Sequence, residues 1–265
     1  MRQNLATTVF AAALLAGCAA QGPPKAYMDL WEKGTAQVRK EDFAAARSTF
    51  REVLTKHPGQ AYNPYVELLL SDCEKRLGNE TEARRLREKV AKTSTVPELK
   101  MQASVGLGRS AMEKERFDEA AALFRDALGS SKEAPSDELA SLRCQLGMAL
   151  QMGGNFAEGR AELKKAVELS PGSPAARQAR IRLLYPDHFA VQTGAYKDGA
   201  NAARQKDLLA KKGFPAEVIV LELPQGKRHC VRVGKLRDRA AAVALGGKIR
   251  AAKVLPEGSK IAVKP

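Results

Sequence analysis

The sequence predicts two folded domains. The first is an all-α solenoid of repeated helix pairs. The second is a small α+β domain of order βαββαβ, a four-stranded antiparallel sheet with two helices on one face. Three observations predict this. From Tyr27 to about Leu184, apolar residues recur at three and four in a background of Ala, Leu, Glu, Lys and Arg, which is helical periodicity. Within that region one eight-residue phrase returns at nearly constant spacing. Beyond Pro186 the period becomes two, and "AVQTGAYKD" from Ala190 is echoed forty residues later by "CVRVGKLRD" from Cys230. A chain of 265 residues is long enough for two such domains.

The amino terminus comes before both. Met1 to Asn4 is short and positively charged, and Leu5 to Ala16 is apolar apart from Thr7 and Thr8. At about 12 residues this run is too short to span a bilayer, which takes roughly 20. It has the proportions of a signal-peptide core. Leu15-Ala16-Gly17-Cys18 follows. Small residues before a cysteine suit a peptidase that grips extended backbone, and the thiol can be alkylated by a diacylglycerol. The stretch resembles a bacterial lipobox, which implies a signal peptide over residues 1–17 and Cys18 as the lipidated first residue of the mature protein. The alternative is a plain secretory signal with an incidental cysteine. Several acyl chains, at about 0.8 kcal/mol per buried methylene, anchor a protein durably to a membrane. Ala19 stands where an Asp would resemble an inner-membrane retention signal, which favours the outer membrane, facing the periplasm. Residues 18–26 form the tether, and its eight residues after Cys18 reach at most about 28 Å.

Residues 27–185 make the helical domain. "FAAARSTF" (43–50) matches "FDEAAALF" (117–124) and "FAEGRAEL" (156–163), with "ETEARRLR" (80–87) as a degraded copy. The equivalent small residues Ala46, Ala83, Ala120 and Gly159 are 37, 37 and 39 residues apart. Gly34, Gly108 and Gly147 sit upstream of the clear copies, and Pro58 and Pro171 close the first and fourth. The pattern resembles tetratricopeptide repeats, in which small residues let paired helices approach and a large one fills the gap between neighbours. Residues 173–184 read as a terminal capping helix. Such repeats offer a surface for a protein or peptide partner; the alternative is a spacer or dimerisation arm. Trp31, Cys73 and Cys144 read as packing residues on helices.

Residues 186–265 make the second domain. Pro186 breaks the helix. His188 to Tyr196 alternates as a strand. Asp198 is an N-cap candidate for a helix closed by Gly213. "AEVIVLEL" (216–223) is a β-branched strand, Pro224 to Gly226 turn, and His229 to Leu236 is a third strand. Asp238 caps a second helix to about Ala252, and "KIAVK" (260–264) is a last strand. Parity puts Val191, Val231 and Val233 toward the helices. Gln192, Arg228, Cys230 and Arg232, with Lys264, then face outward on an open side, while His229 falls on the core side. An amide and several cations on one face can hydrogen-bond hydroxyls and amides or pair with anions.

Val191-Gln192-x-Gly194-x-Tyr196, the "KKGFPAEV" exit from the first helix and Val231-Arg232-Val233-Gly234 together resemble the sporulation-related repeat (SPOR) domain over about residues 186–265. The resemblance implies binding to peptidoglycan glycan strands stripped of stem peptides, which are enriched at division septa. It implies glycan contacts from Gln192, Tyr196, Arg228 and Arg232. The chain departs from the family at Ala195, where Ser is frequent, and at Cys230, where Arg is frequent after an aromatic residue.

The net charge of +14 calls for an anionic partner or surface. Residues 186–265 hold 16 Lys and Arg against 7 Asp and Glu, so most of the excess lies there. Nucleic acid is not expected, because exposed aromatics for base stacking are missing and the compartment is wrong. No nucleophile elbow, Gly-rich phosphate loop or metal-spaced histidine set is present; His57, His188 and His229 lie far apart. No enzyme, cofactor or metal is expected. The reading is a lipid-anchored cell-envelope protein that binds glycan through its terminal domain and a partner through its repeats. The alternative is a repeat scaffold for outer-membrane assembly with only non-specific wall binding.

Overall fold

The computed structural model describes residues 22–131, 133–223, 225–255 and 261–264. The expected signal peptide, Cys18 and the start of the tether lie outside these residues, as do Pro224 and Lys260. The helical region runs in pairs: α1 (Lys25–Arg39) with α2 (Phe43–Lys56), α3 (Asn63–Arg76) with α4 (Glu80–Thr93), α5 (Pro97–Glu113) with α6 (Phe117–Gly129), and α7 (Ser136–Met152) with α8 (Phe156–Leu169). Helix α9 (Pro174–Leu183) follows, N-capped by Ser173, whose hydroxyl accepts from Ala176 N at 3.1 Å. This is the predicted solenoid, with the degraded copy forming a full helix pair.

Each pair turns in the same way. The residue two before the second helix has positive φ: Glu41 at 60°, Gly78 at 82°, Glu115 at 57° and Gly154 at 90°. The next backbone N–H reaches back to close the turn, as from Asn79 to Glu74 O at 2.8 Å and from Arg116 to Ala111 O at 2.9 Å. That is a left-handed helix stop, and it recurs at the sequence period. The small-to-large contacts recur too. A Cβ on Gly34 would lie 2.5 Å from Phe50, on Gly108 2.6 Å from Phe124 and on Gly147 2.7 Å from Leu163. Phe50, Phe124 and Leu163 are buried. In the degraded pair the equivalents are Ser71 and Arg87, both buried. Arg87 fills the phenylalanine position with its stem and passes its guanidinium to Asp72 at 2.6 Å.

The chain divides into two compact units after Leu107. In the first, Tyr27, Trp31, Phe50, Val53, Val66, Leu70, Cys73 and Leu86 pack as one core. Trp31 and Cys73 are thus packing residues, and burial pushes the Cys73 thiol up to about 12. In the second unit, Cys144, Leu163, Ala166 and Ala179 join α7, α8 and α9, so α9 caps the stack. The same unit holds β1 (Phe189–Tyr196), α10 (Gly199–Lys211), β2 (Ala216–Leu223), β3 (Gly226–Leu236), α11 (Arg239–Ala251) and β4 (Ala262–Lys264). The sheet order is β2-β3-β1-β4, with every neighbour antiparallel. Ala202 and Leu209 of α10 and Ile249 of α11 pack on Val191, Val231 and Val233, so both helices cover one face. β3 starts three residues earlier than predicted, because the β2–β3 loop is only two residues long.

The α+β domain is docked on the last two repeats. Phe189, at the start of β1, meets Phe156 edge-on at 5.1 Å between ring centroids. Arg239 at the start of α11 forms a two-pronged bridge to Glu115 at 2.6 and 2.9 Å and lies over the Phe117 ring.

Candidate functional site

Gln192 on β1 stands directly opposite Arg232 on β3, Glu217 on β2 stands opposite Arg232 from the other side, and Ala262 on β4 flanks Gln192. These four residues form one row across the sheet, on the side away from the helices. Cys230 lies in the next row with Ala195 and Ile219, and Arg228 one row further, opposite Leu221. Lys264 faces Ala190 at the other end. The predicted grouping of Gln192, Arg228, Cys230, Arg232 and Lys264 on one face is therefore what the strand register places there.

The face is not open as expected. Arg232 is fully buried and Cys230 is 2% exposed. The segment after α9 reaches Arg232: the Tyr185 ring lies over its guanidinium, 5.9 Å from centroid to Cζ. Arg232 also donates through Nη2 to Lys264 O at 3.2 Å. Burial lowers its pKa from the ordinary arginine value, and Glu217 opposes that effect. The Cys230 thiol and the Tyr185 phenol are both raised, chiefly by desolvation. Arg228 is half-buried and donates to Lys227 O at 3.0 Å.

Tyr196 is not on this face. A bulge between Gln192 and Gly194 inserts Thr193 as an extra residue, so Gly194 pairs with Val231 and Tyr196 with His229. Tyr196 then packs against the helix-side core and its hydroxyl donates to Gln205 Oε1. Gln205 in turn donates to Thr193 O at 3.1 Å. Gly194 has no Cβ because Gln205 and Tyr196 come where one would be. His229 lies on the helix side as expected, its ring against Gly199 at the start of α10. The reading from sequence missed Tyr185, Glu217 and Arg160. Glu217 was signalled by its place opposite Arg232 in a hairpin; the other two come from the preceding domain.

In the first unit, a recess of about 460 Å³ between α2, α3 and α4 is lined in part by Arg51, Asn63, Glu67, Glu82, Arg85 and Lys89. Its cations are matched by carboxylates: Arg51 by Glu74 behind the lining at 2.5 Å, and Arg85 by Glu82 at 2.7 Å and Lys89 by Glu67 within it. Among the described residues, no group of His, Cys, Asp and Glu could hold a metal ion, and no helix is long and apolar enough to cross a membrane.

Residues 185–256 match the SPOR domain, and residues 74–138 and 140–173 match the tetratricopeptide repeat. No curated protein matches the chain. Among solved structures, MamA from Desulfovibrio magneticus RS-1 is similar over 62% of this chain and 84% of its own, at 16% identity and a TM-score of 0.50. A tetratricopeptide repeat protein from Parabacteroides merdae covers 72% and 68%, at 16% identity and a TM-score of 0.51. At these identities the likeness is one of fold. The chain thus carries tetratricopeptide repeats followed by a C-terminal SPOR domain.

Proposed function

We propose that this chain is a lipid-anchored protein of the cell envelope. It holds peptidoglycan glycan strands on the sheet face of its SPOR domain and a protein or peptide partner on its helical repeats, at the division septum. It is a binding protein, not an enzyme, and the anchor is Cys18 in the outer membrane. The observation that carries the reading is the match of residues 185–256 to the SPOR domain, joined to the side-by-side placement of Gln192 and Arg232 in the middle of the sheet. An amide offers both donor and acceptor to sugar hydroxyls and N-acetyl groups, and a guanidinium offers a planar fork of donors. Arg228, two rows along the same face, adds further donors, and Tyr196 supports the β1 backbone from behind.

Co-sedimentation of the purified full-length chain with sacculi tests this, beside a chain ending at residue 185. Binding is expected to be stronger to sacculi stripped of stem peptides, to survive moderate salt, and to fall at least about tenfold for Gln192→Glu, which replaces a donor with a charge. The charge balance of residues 186–265 supports a second reading, a repeat scaffold for outer-membrane assembly with an electrostatic wall contact. Equal binding to both kinds of sacculi, abolished by salt, would decide for it.

A further inference from the structure

We propose that Tyr185–His188 form a strap that closes the glycan face, so that wall binding is governed by the last helical repeat. The inference rests on the glycan-binding reading above. The register puts Ala190, Cys230 and Arg232 on the side of the sheet that the helices leave uncovered, yet Ala190 and Arg232 are fully buried. Tyr185 supplies cover over Arg232, with its ring over the guanidinium, and Cys230 is the next outward residue on the same strand, 2% exposed.

The strap is held from the repeat domain. Arg160 of α8 donates through the same Nη1 to Tyr185 O and to Asp187 Oδ1, both at 3.2 Å. His188 approaches Glu217 on β2, so the strap spans from α8 to the sheet. Opposite Arg232 in the sheet, Gln192 Oε1 is buried and accepts no hydrogen bond among the described residues. A buried acceptor without a donor is unfavourable, so the closed face holds a group that gains on opening. A sugar hydroxyl or N-acetyl N–H would supply that donor, and the Tyr185 ring would have to leave Arg232 for a strand to lie there. Whatever draws Arg160 from Asp187, such as a partner carboxylate at the start of α8, loosens the strap and raises the fraction of chains able to bind.

Cys230 reports on the strap without any ligand. Full-length chains carrying Arg160→Ala or Tyr185→Ala are alkylated with iodoacetamide and the thiols are mapped by mass spectrometry. Cys73 and Cys144, buried between helices, serve as references. Both variants are expected to label at Cys230 at least about fivefold faster than the parent, and to bind stripped sacculi several-fold more tightly. Adding Gln192→Glu should abolish the gain in binding and leave the faster labelling. Arg160 is partly exposed, so its variant keeps the test open if Tyr185→Ala fails to fold. Unchanged Cys230 labelling overturns the strap, even where the parent chain binds sacculi. Faster labelling with unchanged sacculus binding overturns its regulatory role. Failure of every chain to bind stripped sacculi overturns the glycan reading, and the regulatory role with it.

Discussion

The β1–α10 half and the β3–α11 half of the SPOR domain set the same strand-to-helix unit under different side chains. Forty residues apart, Val191 matches Val231, Ala202 matches Ala242 and Leu209 matches Ile249, each pair buried against the sheet or within the core. Asp198 and Asp238 both cap the following helix. The halves part at the glycine. Gly194 is needed for space, because Gln205 and Tyr196 crowd it, and it does not have a positive φ. Gly234 is needed for conformation, with φ at 85°, and Leu245 and Leu236 lie against it. Gln205 and Leu245 are themselves forty apart, as are Tyr196 and Leu236. One half closes its strand-to-helix corner with hydrogen bonds, the other with apolar contact. A repeated phrase thus records a repeated order of elements, while the reason for each residue, and the backbone at the glycine, is local.

The largest test of that difference is Gly194→Ala. The added methyl meets side chains that are held by hydrogen bonds, and overpacking of this kind costs about 2–3 kcal/mol. Gly234→Ala forces a left-handed backbone on alanine and costs about 1–2 kcal/mol. Urea unfolding of the singles and of Gly194→Ala/Gln205→Ala and Gly234→Ala/Leu245→Ala should separate the causes. The first pair should be strongly coupled. The Gly234 penalty should survive removal of Leu245, since shrinking a neighbour does not relieve φ. Full rescue in the second pair would mean that space, not conformation, requires both glycines.

Next in size is Gln205→Leu, which copies the second half's side chain into the first. It removes the donor to the Thr193 carbonyl and the acceptor for Tyr196, and leaving such groups without partners costs about 2 kcal/mol. Adding Tyr196→Leu completes the copy, and the double variant should recover part of the loss, because removing both partners of a hydrogen bond costs less than removing one. A strictly additive double variant would show that the two corners are not interchangeable packing solutions.

Local patterns explain how far the sequence could be read. Helix pairs follow from periodicity and from glycines matched to large residues sixteen positions on, so even the pair built on Ser71 and Arg87 was legible as a weak copy. Strand parity placed Gln192, Cys230 and Arg232 on one side because alternation holds along β3. The resemblance put Tyr196 among the glycan contacts, whereas the bulge at Thr193 changes the count by one, turns Tyr196 to the helix side and leaves no mark in an eight-residue strand. Burial of the face was not legible at all. It depends on Tyr185 reaching Arg232 and on Arg160 reaching Tyr185 across 25 residues, contacts that belong to the seam between two domains rather than to the pattern of either.

The smallest effect tests the feature the two halves share. Asp198 accepts one backbone hydrogen bond, from Ala200 N at 2.9 Å, while Asp238 accepts two, from Ala240 N at 2.9 Å and Ala241 N at 3.3 Å. Removing an N-cap carboxylate costs about 1 kcal/mol. Asp238→Ala should therefore cost somewhat more than Asp198→Ala in urea unfolding, with Asn at either position restoring most of the loss because its amide oxygen accepts the same bonds. The measurement bears on more than the caps. Arg239 follows Asp238 directly and holds Glu115 of the repeat domain, so fraying of α11 should also loosen that bridge, whereas α10 has no such link through its first residue. Replacing Glu115 with Gln should then erase most of the excess cost of Asp238→Ala over Asp198→Ala. An excess that persists would place it in the second capping bond alone.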